Sequence, residues 1–463
     1  MTSITKPTKE SRLKTFVRVK NKEIMTFAMY LCFFVYGIGS SIFAPVMLDM
    51  SEILEAGMDD LSWALAAKIA GYALLALPFG WLFSRVNRQM GTVVCLVIVG
   101  LTSVPMPLVK SLPMFFLEMV VQGMASSGID VALNAWILEV WQEKANPYMQ
   151  GMHFSWAVGA TVAPLLCQPF LSKPLNQSLM SGNEELDRLV PHSESMIYIS
   201  YLISCFLCLF AAGFLLVVNL VVPYQPRKRE KNEEHEENRE EGIGKDLSDS
   251  IKPTKQYTDL KWLIFLSNLL MVFYCSVENN IFSFFPDFAV YSKMRLSKST
   301  AAFMTSVLSG SFALFRGISI LTATKLSAER MLHMHFTLAT LGSVLVVMAG
   351  HFDCLPLTWV SVVVSGAGCS CMFPSIYSYV EERIVVTDLL SGLYIFVSNL
   401  TCIIITGVVG MLIKSNPMIF AYFNVGSLLL CTTAFAGLYY IDCRHNKRVK
   451  QMLLRHDIDI NNN

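Results

Sequence analysis

Charged residues are scarce in this chain. Only 15% of its 463 residues are Asp, Glu, Lys or Arg, against about 25% in an ordinary soluble domain. The shortage is deeper than the average, because residues 225–256 and the first 24 hold many of those charges. So little charge elsewhere excludes a soluble enzyme, and a net charge of +1 gives no bulk attraction to nucleic acid. Motifs of soluble chemistry are missing too. There is no phosphate-cradling glycine loop, no paired Cys–Cys metal motif and no nucleophile elbow. No enzyme activity, cofactor or metal site is therefore expected, although His333 and His335 are close enough in sequence to be weighed as a metal pair. Of the twelve cysteines most fall inside apolar runs, as Cys32, Cys95, Cys275 and Cys431 do, which argues against a disulfide framework. Residues 1–24 lack an apolar core and a small-residue cleavage site, so no removable signal is expected there. The first apolar block is expected to act as an uncleaved signal-anchor.

What the chain has is long apolar blocks, and 54% of its residues are hydrophobic. Twelve spans of about 21 residues would need roughly 250 such positions, close to that share. The blocks run over 25–48, 61–84, 91–110, 112–141, 148–171 and 196–222, then over 259–290, 299–324, 331–350, 356–381, 388–413 and 417–441. The expected fold is an all-α membrane protein with twelve transmembrane helices in two six-helix bundles. Its parts are a tail over 1–24, a bundle over 25–222, a charged linker over 223–258, a second bundle over 259–441 and a tail over 442–463. The linker's run of glutamates reads as a solvated tether.

Positive charge sets the expected orientation. With both termini cytoplasmic, 27 lysines and arginines lie on the inner side and seven on the outer, as the positive-inside rule requires. The longest outer loop, 172–195, then carries Asn176-Gln177-Ser178, a glycosylation acceptor. Asn399-Leu400-Thr401 lies inside a span and is expected to be silent.

Charge inside a span is costly, about 2.5–3.5 kcal/mol at the centre on insertion scales, so the few such residues are the functional candidates. Asp130 and Asn134 share a face of the fourth span, a pairing suited to a cation or to hydroxyl groups, or simply to an interhelical hydrogen bond. His153 and Trp156 share a face of the fifth, and an indole is a flat platform for a sugar ring or an ordinary packed aromatic. The seventh span carries Glu278, Asn279 and Asn280, with Asp287 further on. Either that helix is interrupted or these groups line a cavity. Arg316 in the eighth span is expected to neutralise Glu278 or Asp130, and Lys68 in the second to snorkel. Pro45 and Pro374 are expected to kink their helices.

Several of these residues carry a resemblance. The loop Gly80-Trp81-Leu82-Phe83-Ser84-Arg85-Val86-Asn87-Arg88 resembles the loop signature of the major facilitator superfamily, with Ser84 in place of the acid. Gly128-Ile129-Asp130-Val131-Ala132-Leu133-Asn134, then His153 to Trp156, Gly159, Ala160 and Pro164, resemble its fucose/glucose-type sugar symporter branch. Ala301-Ala302-Phe303, Gly310-Ser311-Phe312, Arg316, Leu326, Met331-Leu332 and Met372-Phe373-Pro374-Ser375-Ile376-Tyr377 are similar to the same branch. Tyr36-Gly37 and Pro45-Val46-Met47-Leu48-Asp49 are similar to its sodium-dependent glucose transporter subgroup. The resemblance covers 25–440 apart from the linker. It implies a coupling or binding carboxylate at Asp130 and a binding asparagine at Asn134. His153 stands where the branch has glutamine and Trp156 where it has asparagine. Ala44 stands where proton-coupled bacterial members have aspartate, which turns the expectation toward sodium.

The expectation is a secondary transporter that moves a glucose-like hexose by alternating access across the plasma membrane, working as a monomer within the lipid bilayer. Asn134, His153, Trp156, Glu278 and Asn280 would contact the sugar, Asp130 would bind sodium or a proton, and Arg316 would be a charge partner. The alternatives are a carrier of another solute, proton-coupled or facilitative, and a non-transporting nutrient sensor.

Overall fold

Apolar runs separated by short polar turns can satisfy their backbone in lipid only as helices, and helices are what they form. A computed structural model describes residues 9–172, 195–222, 260–296, 298–413 and 415–461. Asn176 and the linker 223–258 lie outside the described residues. In chain order the helices are α1 (Lys9–Ser41), α2 (Met47–Ile53), α3 (Met58–Phe83), α4 (Arg88–Ser103), α5 (Leu112–Trp141), α6 (Ala145–Cys167) and α7 (Ile197–Val221). Then follow α8 (Leu260–Tyr291), α9 (Lys298–Ala323), α10 (Ala328–Phe352), α11 (Leu355–Cys369), α12 (Met372–Glu381), α13 (Asp388–Leu412) and α14 (Met418–Asn461).

Eleven of the expected spans are long and apolar enough to cross a membrane, with α11 and α12 counted together as one span. The twelfth corresponds to α6, which has 23 residues but is diluted by Asn146, Gln150, His153, Ser155 and Thr161. Helix starts follow local chemistry. The Asn87 side chain accepts from the amides of Gln89 and Met90 at 2.9 and 3.2 Å to open α4, and Ser327 and Thr387 cap α10 and α13. Asp353, in the left-handed conformation, closes α10.

Of the two readings left open for the seventh span, an interrupted helix is excluded: the helix through Glu278, Asn279 and Asn280 is continuous, and even Pro286 lies inside it. Pro45 does not kink a single helix; it lies in a short 3₁₀ turn, Ala44–Val46, after which the separate helix α2 begins. The span expected over 356–381 is present as one span, and the disturbance expected at Pro374 takes the form of a break at Ser370 and Cys371 between two helices.

The described residues pack as two compact units, one drawn from 1–141 and 151–232, the other from 142–150 and 233–463. In the first, α3 lies against α5, α4 against α5 and α7, and α1 against α5 and α7. Gly71 and Gly123 allow the α3–α5 approach. A methyl at Gly71 would strike the backbone oxygen of Val120, and one at Gly123 that of Lys68. Helix α2 and the Leu54 that follows it place Met50 and Leu54 in a core with Leu61, Phe115, Met119 and Tyr201. It also carries the buried Asp49, whose carboxylate accepts from the Ser172 amide at 2.9 Å, the Ser172 hydroxyl at 3.0 Å and the Ser195 hydroxyl. In the second unit α8 packs on α13 and α14, α10 on α11 and α14, and α9 on α11.

Candidate functional site

The fourth span delivers Asp130 into a hydrogen-bonded chain inside the first unit. Asn134, one turn on, turns its amide nitrogen back to Asp130 Oδ1 at 2.6 Å and to the Asp130 carbonyl at 2.9 Å. The Tyr72 hydroxyl, from α3, donates to Asp130 Oδ2, and Tyr36 of α1 lies beside Tyr72. On the other side Asn134 Oδ1 accepts from His153 Nε2 of α6 at 3.0 Å, which fixes the hydrogen on Nε2 in this arrangement. Phe33 meets the His153 ring edge-on, with centroids 5.3 Å apart. Asp130, Asn134 and His153 are thus brought together. Trp156, one turn beyond His153, is half-buried, and its backbone oxygen abuts Gly37 of α1.

Lys68 corrects an expectation. It does not snorkel. It is buried, at 8% exposure, with Nζ 3.4 Å from the Ser40 carbonyl.

The second unit builds its polar centre around the break between α11 and α12. A helix end leaves carbonyls without intrahelical donors, and Pro374 adds to the shortage. It has no N–H to return to Ser370 O, four residues earlier. Side chains from three other helices supply what is missing. His335 Nδ1 of α10 lies 3.1 Å from Ala367 O and 3.2 Å from Gly368 O. Both partners are carbonyls, so Nδ1 carries the hydrogen. The Tyr274 hydroxyl of α8 lies 2.9 Å from Cys369 O. Arg316 Nε of α9 donates to Ser370 O at 2.6 Å, with its guanidinium 4.2 Å from the Phe312 ring. A cation at a helix C-terminus also meets the negative end of the helix dipole.

Glu278 belongs to this centre, since Tyr274 one turn before it also donates to its carboxylate. The charge of Arg316 acts on Glu278, and among the described residues no direct ion pair joins them. Asn280 faces elsewhere. Its amide nitrogen donates to Asn424 Oδ1 of α14 at 2.7 Å, and its own buried oxygen has no hydrogen-bond partner. His333 and His335 do not form a metal pair, because His335 serves the α11 carbonyls and His333 packs on Phe435 and Tyr439. Among the described residues no cluster of metal-ligating side chains occurs.

Tyr72 and Tyr274 are residues that sequence reasoning missed, and His335 was weighed only as a metal ligand, not as a donor to the α11 carbonyls. Tyr274 was within reach of such reasoning, since it precedes Glu278 by one helical turn. Tyr72 meets Asp130 only across a helix contact, and the small residues Gly71 and Gly123 were its one signal.

Residues 29–406 match the profile of the Major Facilitator Superfamily. Among curated proteins, sodium-dependent glucose transporter 1A of Mus musculus is 26% identical over 439 residues, covering 92% of this chain and 99% of that protein. Sodium-dependent glucose transporter 1 of Xenopus laevis is 25% identical over 406 residues, covering 86% and 78%. Among solved structures, a Major Facilitator Superfamily transporter, FucP, in the outward conformation matches with a TM-score of 0.67 at 14% identity over 91% of this chain and 99% of that one. The proton:xylose symporter XylE matches with a TM-score of 0.68 at 11% identity over 91% and 96%. Those identities speak to fold alone. This chain is a multi-pass membrane protein that belongs to the Major Facilitator Superfamily.

Proposed function

We propose that the chain is a secondary transporter that moves a glucose-like hexose by alternating access, with sodium coupled at Asp130. The observation that carries the reading is the chain Tyr72–Asp130–Asn134–His153, in which a carboxylate within a span accepts from Tyr72 of α3 and from Asn134 of its own helix, and Asn134 in turn bonds His153 of α6. Such a group is costly in lipid and marks an ion or substrate path. The names of the curated relatives support a hexose and sodium. In this reading His153, Asn134, Trp156, Glu278 and Asn280 contact the sugar, Arg316 is a charge partner, and the protein works as a plasma-membrane monomer with both termini cytoplasmic. At 100 mV one co-transported charge contributes about 2.3 kcal/mol, roughly 50-fold in accumulation.

A second reading, proton coupling, has one observation in its favour. Both Asp130 oxygens accept from hydrogen donors, whereas a sodium ion wants oxygen acceptors around it. One assay tests both. Labelled hexose uptake into vesicles is measured with sodium, with choline in its place, and under an inward proton gradient. Sodium coupling requires uptake to fall in choline and in Asp130→Asn. Uptake that survives choline but follows the proton gradient gives the second reading. Uptake indifferent to both ions and to Asp130→Asn defeats coupling, and no competition by unlabelled hexose defeats the sugar.

A further inference from the structure

Tyr274 has one hydroxyl proton and two acceptors. It donates to the Glu278 carboxylate, and the same oxygen lies 2.9 Å from Cys369 O. A single O–H satisfies one of them at a time. The neighbouring carbonyls at the end of α11 have donors of their own, His335 for Ala367 and Gly368, and Arg316 for Ser370. Cys369 O alone depends on a hydroxyl shared with an ionisable group, and Tyr274 and Cys369 are both fully buried.

We propose that Glu278 is a proton-binding site that controls the break between α11 and α12 through Tyr274. With Glu278 ionised, the Tyr274 proton is held by the carboxylate and Cys369 O is left without a donor in apolar surroundings, which is unfavourable. When Glu278 takes up one proton, its own O–H donates to the Tyr274 oxygen, and the tyrosine proton turns to Cys369 O. One proton is bound, the bond between Tyr274 and Glu278 reverses, a bond from Tyr274 to Cys369 O forms, and no other group changes charge. The break is therefore better held when Glu278 is protonated. Breaks of this kind are where a spanning helix can move.

The groups facing Glu278 leave this exchange to Tyr274. From its own helix it meets Tyr274 and Cys275, from α9 Arg316, from α11 Cys369 and from α13 Cys402. On α12, Tyr377 pairs with Ser391, and Tyr379 lies against Arg383. On α13, Tyr394 pairs with Ser267. On α14, Asn424 accepts from Asn280, and the Cys431 thiol turns to Leu270 O. The use of this site in transport rests on the transporter reading above, while the hydrogen-bond exchange does not.

The test is hydrogen–deuterium exchange of the full chain in lipid nanodiscs, read on peptides covering residues 368–373 from pH 5 to 8 and corrected for the chemical exchange rate. The parent protein should gain protection on acidification, by about fivefold or more, the scale of one buried carbonyl regaining a donor. Tyr274→Phe removes the shared hydroxyl and should stay at the low-protection level at every pH. Glu278→Gln keeps a neutral donor toward Tyr274 and should stay at the high level. A parent without pH dependence overturns the proposal. So does either variant keeping the parent's response, and Glu278→Gln serves alone if Tyr274→Phe does not fold. Hexose uptake is run in parallel; exchange as described without uptake defeats the transporter reading and leaves this one standing.

Discussion

Arg383 illustrates how much a single buried charge depends on its neighbours. It is 4% exposed, bonds Asp442 at 2.8 Å and Glu329 at 3.3 Å, and lies 3.5 Å from the Tyr379 ring. Burial works against its charge, but Tyr379, Asp442 and Glu382 beside it hold the guanidinium above its ordinary range. A raised value in the folded state means that the stabilisation is present at lower pH and is lost only as pH rises through that folded value. That lies far above physiological pH, so the group keeps its charge, and its stabilisation, throughout the physiological range. Arg383→Ala removes the cation that Asp442 and Glu329 share, and breaking a buried pair costs about 3–5 kcal/mol. The expected result is a marked fall in the melting temperature of the detergent-solubilised protein. Asp442→Asn added to Arg383→Ala should recover part of the loss, whereas two independent sites would add.

At the scale of elements, the same economy of partners decides which helices are continuous. Pro78, Pro164 and Pro286 sit inside unbroken helices, yet the span with Pro374 is divided. The difference is that the divided span has Tyr274, His335 and Arg316 waiting at its orphaned carbonyls. Helix approach is decided by small residues. Methyl groups at Gly37 and Gly159 would strike the backbones of Trp156 and Phe34, so α1 and α6 meet through both glycines. Gly159→Leu should force them apart, at the 1–3 kcal/mol or so typical of overpacking, and lower the melting temperature. Gly213→Leu, with nothing within 4 Å of the added carbon, is the control and should not lower it. The Asp49 acceptor that gathers Ser172 and Ser195 is a third such device. Asp49→Ala should speed proteolysis between those two serines, read as fragment yield from folded protein, while Arg88 and Glu139, paired at 2.5 Å on α4 and α5, leave the rest of the unit intact.

Orientation is a property of the whole molecule and is carried by the distribution of Lys and Arg. The proposal of cytoplasmic termini puts Asn176 outside and the linker 223–258 inside. A glycosidase-sensitive mass shift that Asn176→Gln abolishes, with linker cleavage by protease only after permeabilisation, is the expected outcome. Linker cleavage in intact cells would reverse the topology. The chain by itself determined where the spans lie, because hydrophobic length is a local property of sequence. It also determined which polar residues share a helix face, Asp130 with Asn134 above all, because i and i+4 positions coincide on any α-helix. Tertiary structure alone decided the partners. Tyr72 finds Asp130, Lys68 stays buried at Ser40, and Arg316 takes a backbone oxygen. Each of these contacts crosses between helices, so it depends on how the helices are rotated and how closely they approach, and that is set by packing over the whole unit rather than by spacing along the chain.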